Sequence, residues 1–159
     1  MADRIGQAVS ALLFSALLAG CATASLRQPD GFAEYGSAGE YRAVSPEGVV
    51  VRVHLVKNDP AQSLEFWAEA LTTQLTKSGY SLVRRESLET RAGAAVLLEW
   101  AAPVGQEDWI YLTGIAVSGT RIAVAEAAGQ YESYQKRRDA LIESLKTLEI
   151  RLRALHSAH

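Results

Sequence analysis

Ala95–Ala102, AVLLEWAA, and Asp108–Val117, DWIYLTGIAV, decide the fold. Read as extended chain, each run is apolar on both faces. A strand wetted on one side alternates apolar with polar residues, whereas a strand covered on both sides does not. The intervening Pro103-Val104-Gly105-Gln106-Glu107 has turn chemistry. The two runs therefore predict neighbouring antiparallel strands inside a sheet that carries helices on both faces. The loop leaves their register open by one residue, so it is undecided whether Trp100 and Tyr111 share a face.

Outward from this pair the pattern continues. Tyr80–Thr90 and Thr120–Ala127 read as the flanking strands, joined through Ala92-Gly93 and Ser118-Gly119. The first carries Arg84, Arg85, Glu86 and Glu89, charges that suit a sheet edge. Upstream, Leu64, Trp67, Leu71 and Leu75 form one helical stripe, widened by Ala68 and flanked by Phe66 and Ala70. Asp59 as cap, Pro60 as first helical residue and Gln62 as capping-box partner predict its start, and Gly79 its stop after Ser78. Before it, Glu40–Ser45 and Val49–Val56 form a hairpin across Pro46-Glu47-Gly48. Val49, Val51, Val53 and Leu55 face one way, and Val50, Arg52, His54 and Val56 the other. After the meander, Tyr134, Leu141, Ile142, Leu145 and Leu148 predict a helix over Tyr131–Leu152. The fold class is thus α+β, in the order ββ-α-ββββ-α, over residues 40–152, with a frayed tail at 153–159.

The amino terminus is of another kind. An apolar run from Ala8 to Ala19 ends in Leu18-Ala19-Gly20-Cys21. A run of this length, broken only by Ser10 and Ser15 and closed by small residues, marks a secretory signal and falls short of the roughly 20 residues that span a bilayer. The last four residues resemble the lipobox of bacterial lipoproteins. That resemblance implies cleavage after residue 20, lipidation of Cys21 and attachment to a membrane of the cell envelope. With Ala22 rather than Asp following, it implies the outer membrane, facing the periplasm, in a diderm organism. Residues 21–39 are rich in Ala, Gly and Ser and read as a flexible tether, with a reach of roughly 20–25 Å for a coil of this length. Phe32 and Tyr35 are its residues suited to pack on the domain.

SPEGVVVRVHLVKNDP, LEFWAEALTTQLTKSGYSL and TGIAVSGTRIAVAEAAGQYESYQKRRDALIESLKTL, taken with the order of elements, resemble the PsbP-like and DcrB-like α/β/α sandwich domains. The resemblance spans Glu40 to Leu148. It implies small accessory proteins, several of them lipidated, and it supplies no catalytic residues and no metal motif to carry over.

Composition narrows the function further. Sixteen basic and eighteen acidic side chains are mixed along the chain, for a net charge of −2, without the basic patch that nucleic acid requires. Cys21 is the only cysteine, so no intrachain disulfide, Cys metal site or Cys nucleophile is expected in the domain. His54 has no Asp or Glu two residues away, and Glu65 with Glu69 reads as a wetted helix face. Glu107-Asp108 lacks a calcium-loop pattern. No serine lies in Gly-x-Ser-x-Gly and no glycine-rich phosphate loop is present. The expectation is a non-enzyme without metal or cofactor: a lipid-anchored accessory module that engages another envelope protein. The alternative is a carrier or sensor of an apolar small molecule or lipid between sheet and helix. For either, Trp100, Trp109, Tyr111 and Tyr80 are the candidate surface, with core packing as the competing reading. Partner, ligand and oligomeric state are left open.

Overall fold

The computed structural model describes residues 22–36 and 39–152. The expected signal sequence, Cys21 and the expected tail at 153–159 lie outside the described residues. In chain order the elements are β1 (Ala22–Ser25), β2 (Ala33–Glu34), β3 (Tyr41–Val44), β4 (Val50–Lys57), α1 (Leu64–Lys77), β5 (Ser81–Thr90), β6 (Gly93–Ala102), β7 (Trp109–Ser118), β8 (Arg121–Gln130), α2 (Tyr131–Leu145) and β9 (Glu149–Leu152). Seven strands form one antiparallel sheet in the order β2-β3-β4-β8-β7-β6-β5. The doubly apolar runs are β6 and β7, deep in that sheet, and the charged strand β5 is its edge. The predicted α+β sandwich is the observed architecture.

Each face has its own core. On one, Val49, Val51, Val53, Leu97, Ile110, Leu112 and Ala123, Ala125 and Ala127 of β8 pack against Tyr134, Leu141 and Leu145 of α2. On the other, Val96, Leu98, Trp100, Ile115 and Ile122 pack against the stripe Leu64, Trp67, Ala68, Leu71 and Leu75 of α1. The alternation along β4 assigns its faces as expected, with Val49, Val51 and Val53 buried and Val50 and Arg52 exposed. Gly129 is needed where β8 passes beneath Val49, because a Cβ there would lie 2.9 Å from the Val49 Cγ2.

Four expectations need correction. First, the tether is packed over 22–36. β1 pairs with β9 along Ala22↔Leu152 to Ser25↔Glu149, and Ala24, Leu26 and Phe32 are buried in the α2-side core. These side chains cover apolar sheet surface beside α2, so the folded body includes Ala22–Ser25 and Phe32. Second, α2 ends at Leu145, not Leu152. Thr147 and Leu148 N–H groups close tight turns on Ser144 and Leu145, and the chain then extends to meet β1. Third, α1 begins after Ser63, whose hydroxyl accepts from the Phe66 N–H, and not after Asp59. Asn58 is the cause. Its Oδ1 accepts from the Gln62 N–H (3.0 Å) and the Trp67 indole (2.8 Å), while its amide donates to the Gln62 and Gly119 carbonyls. Residues 58–62 therefore form a pinned loop. Fourth, Phe66 and Ala70 face solvent and do not extend the flank of the stripe.

Backbone hydrogen bonds set the ends of the molecule. The Ala92 N–H donates to the Leu148 carbonyl (2.8 Å), which brings the C-terminal end of α2 to the β5–β6 turn. The Arg27 N–H donates to Thr147 Oγ1 (2.8 Å), which roots the β1–β9 ribbon at the same end. The Tyr131 N–H donates to the Asp108 carbonyl (2.8 Å), so the opposite end carries the β6–β7 loop and the start of α2. Among the described residues, no helix is long and apolar enough to cross a membrane.

Candidate functional site

The two helices do not cover their faces equally. α1 lies across β5, β6 and β7 and reaches Ile122 of β8, while the same face around Val50–Arg52 of β4 and Glu126–Ala128 of β8 carries an open groove. There a groove of about 310 Å³ is lined by Tyr35, Arg42, Val50, Arg52, Tyr111, Glu126 and Ala128. Period-two alternation puts these groups together. Arg52 and Glu126 are direct cross-strand partners on β4 and β8, and Tyr111 reaches Glu126 diagonally from β7.

Charge along the groove is paired. Glu126 accepts from the Tyr111 hydroxyl at 2.5 Å and from Arg52 Nε at 2.8 Å. Glu40 accepts from Arg42 Nη2 at 2.6 Å and lies 3.4 Å from Arg52 Nε. Burial alone would raise the Glu126 carboxyl, but the bonds from Tyr111 and Arg52 outweigh it and hold the group below its ordinary range. Burial, together with the bond to Glu126, pushes the Tyr111 phenol well above its usual value. Near neutral pH the pair is therefore a carboxylate held by a neutral phenol, and neither member is poised to move a proton. Such a site can hold a partner by its apolar floor and paired rim.

The four aromatic candidates part company. Trp100 is 0% exposed, and its indole donates to Thr113 Oγ1 at 3.2 Å. It is a core residue beneath α1. The register left open by the loop is Trp100↔Tyr111, so the two share a face. Tyr80 packs at the Tyr111 ring, with centroids 5.7 Å apart. Of this trio Tyr111 alone lines the groove, and Trp109 lines a different pocket near the start of α2.

Several groups acquire partners that local spacing does not reveal. His54 Nδ1 lies 3.7 Å from Glu126 Oε2, a contact made across the ladder and not along the strand. Glu65 and Glu69 do not simply face water: Arg85 donates to both, at 2.8 and 2.6 Å, and clamps α1 to the edge strand. Lys136 and Arg137 hold Glu47 of the β3–β4 turn, and these bonds keep its carboxyl far below the usual range. Arg138 holds Glu99 from below the sheet. The legible signal for the last pair is Glu99 itself, a single charge inside a strand covered on both faces, which must find a partner. Among the described residues, no group of three or more His, Cys, Asp and Glu side chains could hold a metal ion.

No family model matches the chain, and no curated protein does. Several solved structures share the fold, among them the following three. LpqN of Mycobacterium tuberculosis, described as involved in cell envelope biogenesis, superposes at a TM-score of 0.59 with 18% identity, covering 83% of this chain and 85% of its own. The Ran-binding protein Mog1p of Saccharomyces cerevisiae gives 0.57 at 10% identity, covering 82% and 90%. Cyanobacterial PsbP from Synechocystis gives 0.54 at 7% identity, covering 86% and 96%. The PsbP-like architecture expected from the order of elements is thus the one these proteins share.

Proposed function

We propose that this chain is a non-catalytic accessory module of the bacterial cell envelope, carried on a lipid at Cys21 and binding another protein through the open half of its sheet. The observation that carries the reading is that groove. It is apolar at Val50, Ala128 and the Tyr111 ring, and its rim charges are already paired. Paired rim charges set register without leaving a reactive group. The described functions of two fold neighbours, cell envelope biogenesis and Ran binding, support a protein-handling role for the fold. The lipobox residues support the anchor. The carrier reading has less support, because Trp100 fills the layer between α1 and the sheet where a ligand would lie.

Two measurements test the reading separately. Cys21→Ser protein should leave the membrane fraction while its domain stays folded; retention in that fraction would refute the anchor. A photo-crosslinking residue placed at Val50 should give one discrete protein adduct in cells, absent when the label is at Lys77 on the exposed side of α1. Identical adduct patterns from both positions would refute the groove as the docking face.

A further inference from the structure

A second concavity lies at the β6–β7 end of the sheet. It encloses about 260 Å³ and is lined by Val83, Ala101, Asp108, Trp109, Ile110 and Tyr131. Its position follows from an irregularity. The β5–β6 register shifts between Leu82 and Arg84, which leaves Val83 out of the ladder. Val83 is 59% exposed at the mouth, and Tyr131, the first residue of α2, is 47% exposed beside it. Leu82 and Val104 are exposed at the same end. Large apolar side chains grouped this way around a cavity mark an interaction site more than scattered ones do.

The polar surroundings select the occupant. Asp108 lines the pocket, Glu107 precedes it and Glu132 follows Tyr131. None of the three takes part in the ion pairs found among the described residues, while Arg84 of β5 and Lys136 and Arg137 of α2 already hold carboxylates. An anion has little to bind here, because the Glu132 and Ser133 N–H groups at the start of α2 donate to the Gln130 side chain. Tyr131 N–H on the Asp108 carbonyl ties loop to helix, so the mouth exists before anything enters. The bulge at Val83 also interrupts the edge that an added strand would follow, which favours docking by side chains over strand addition.

We propose that this pocket receives one apolar side chain from a short extended segment of another protein, and that its acidic rim selects segments in which Lys or Arg flanks that residue. The site is separate from the groove on the open half-sheet and does not depend on membrane anchoring.

The probe is a fluorescein-labelled peptide alternating lysine with phenylalanine and valine. Its controls are a peptide with glutamate in place of lysine and one with glycine in place of both apolar residues. Titrated against the full chain, the lysine peptide should bind saturably and shift the amide resonances of Val83, Ala101, Ile110 and Tyr131. Binding should weaken about three- to tenfold in the double variant Glu107→Gln, Asp108→Asn and with rising salt, as rim ion pairs do. Val83→Asp should abolish it, and Val50→Asp in the groove should leave it unchanged. Equal binding of the glutamate peptide, resonance shifts confined to the β4–β8 face, or no saturation at millimolar peptide would each overturn the proposal. So would self-association of the chain that Val83→Asp abolishes, since a second copy would then be the occupant.

Discussion

Replacing Arg138 with methionine should unfold the protein far more readily than its place in a run of surface charges suggests. The Glu99 side chain is 5% exposed and that of Arg138 16%. The guanidinium donates to Glu99 Oε1 at 2.6 and 2.9 Å and to Glu86 at 3.0 Å. Methionine keeps most of the apolar stem and leaves the carboxylate behind in the layer between sheet and helix. Breaking a buried pair from one side costs about 3–5 kcal/mol. Arg84, 3.9 Å from Glu99, remains as a partial partner and sets the loss at the lower end, about 3 kcal/mol. For a domain of this size that lowers the melting temperature by about 10 °C. Adding Glu99→Leu removes the stranded charge, and exchanging a whole buried pair for apolar groups is neutral or stabilising. Urea unfolding followed by tryptophan fluorescence reads both variants, since Trp100 adjoins Glu99 in β6. The single variant should lose midpoint at an unchanged slope, and the double variant should regain it. A loss under about 1 kcal/mol, or a double variant no better than the single, would refute the argument that Glu99 is buried and held by Arg138.

Three further outcomes follow from the packing. Asn58→Ala removes the pinned loop's acceptor and donor together and should cost about 2–3 kcal/mol in urea unfolding, as a buried polar network does; a change below about 0.5 kcal/mol would mean that water replaces its bonds. Gly129→Ala drives a methyl into Val49 and should destabilise by about 1–3 kcal/mol, with Val49→Ala in the same chain recovering part of that loss; no recovery would sink the clash. Glu126 is held below its ordinary range, so its bonds add stability above the unfolded-chain value of about 4.3 and lose it as pH falls through the lower folded value. The stability gap between wild type and Glu126→Gln should therefore be level above pH ~5 and close below pH ~4; a gap that widens toward acid would contradict the assignment.

What could be read along the chain was whatever depends on near neighbours. Strands β4 to β8, the stripe of α1 and the stop at Gly79 all follow from period, turn chemistry and caps. The misplacements share a different cause. Asn58 cancels the cap expected at Asp59 by bonding to Gly119, on a turn far along the chain. Ala22–Ser25 is too short and too small in its side chains to announce a strand, and its partner β9 lies at the other end of the chain. β9 in turn continues the helical spacing of α2, and only the pairing with β1 breaks it. The candidate site divided in the same way. Aromatic content put Tyr111 among the candidates, and the structure places it in the groove lining, but its link to Glu126, Arg52 and His54 is made across three strands and is not legible in the sequence. Trp100 is composed like a binding residue, and only the registers beneath α1 make it core.

The docked amino-terminal segment changes what an anchor could do. A coil of 18 residues would let the domain wander through a hemisphere roughly 20–25 Å in radius and turn freely within it. With Ala22 already in a ladder, residue 21 is one peptide bond from the folded body. A lipid at Cys21 would then act as a fixed pivot, and the domain's bearing to the bilayer would be a property of its fold. The β1–β9 ribbon packs against β4, with Ala24 buried in the α2-side core, so the pivot would stand on the α2 side of the sheet. Lengthening the chain between residues 21 and 22 with glycine and serine would leave every contact in the domain intact and remove only its sense of direction.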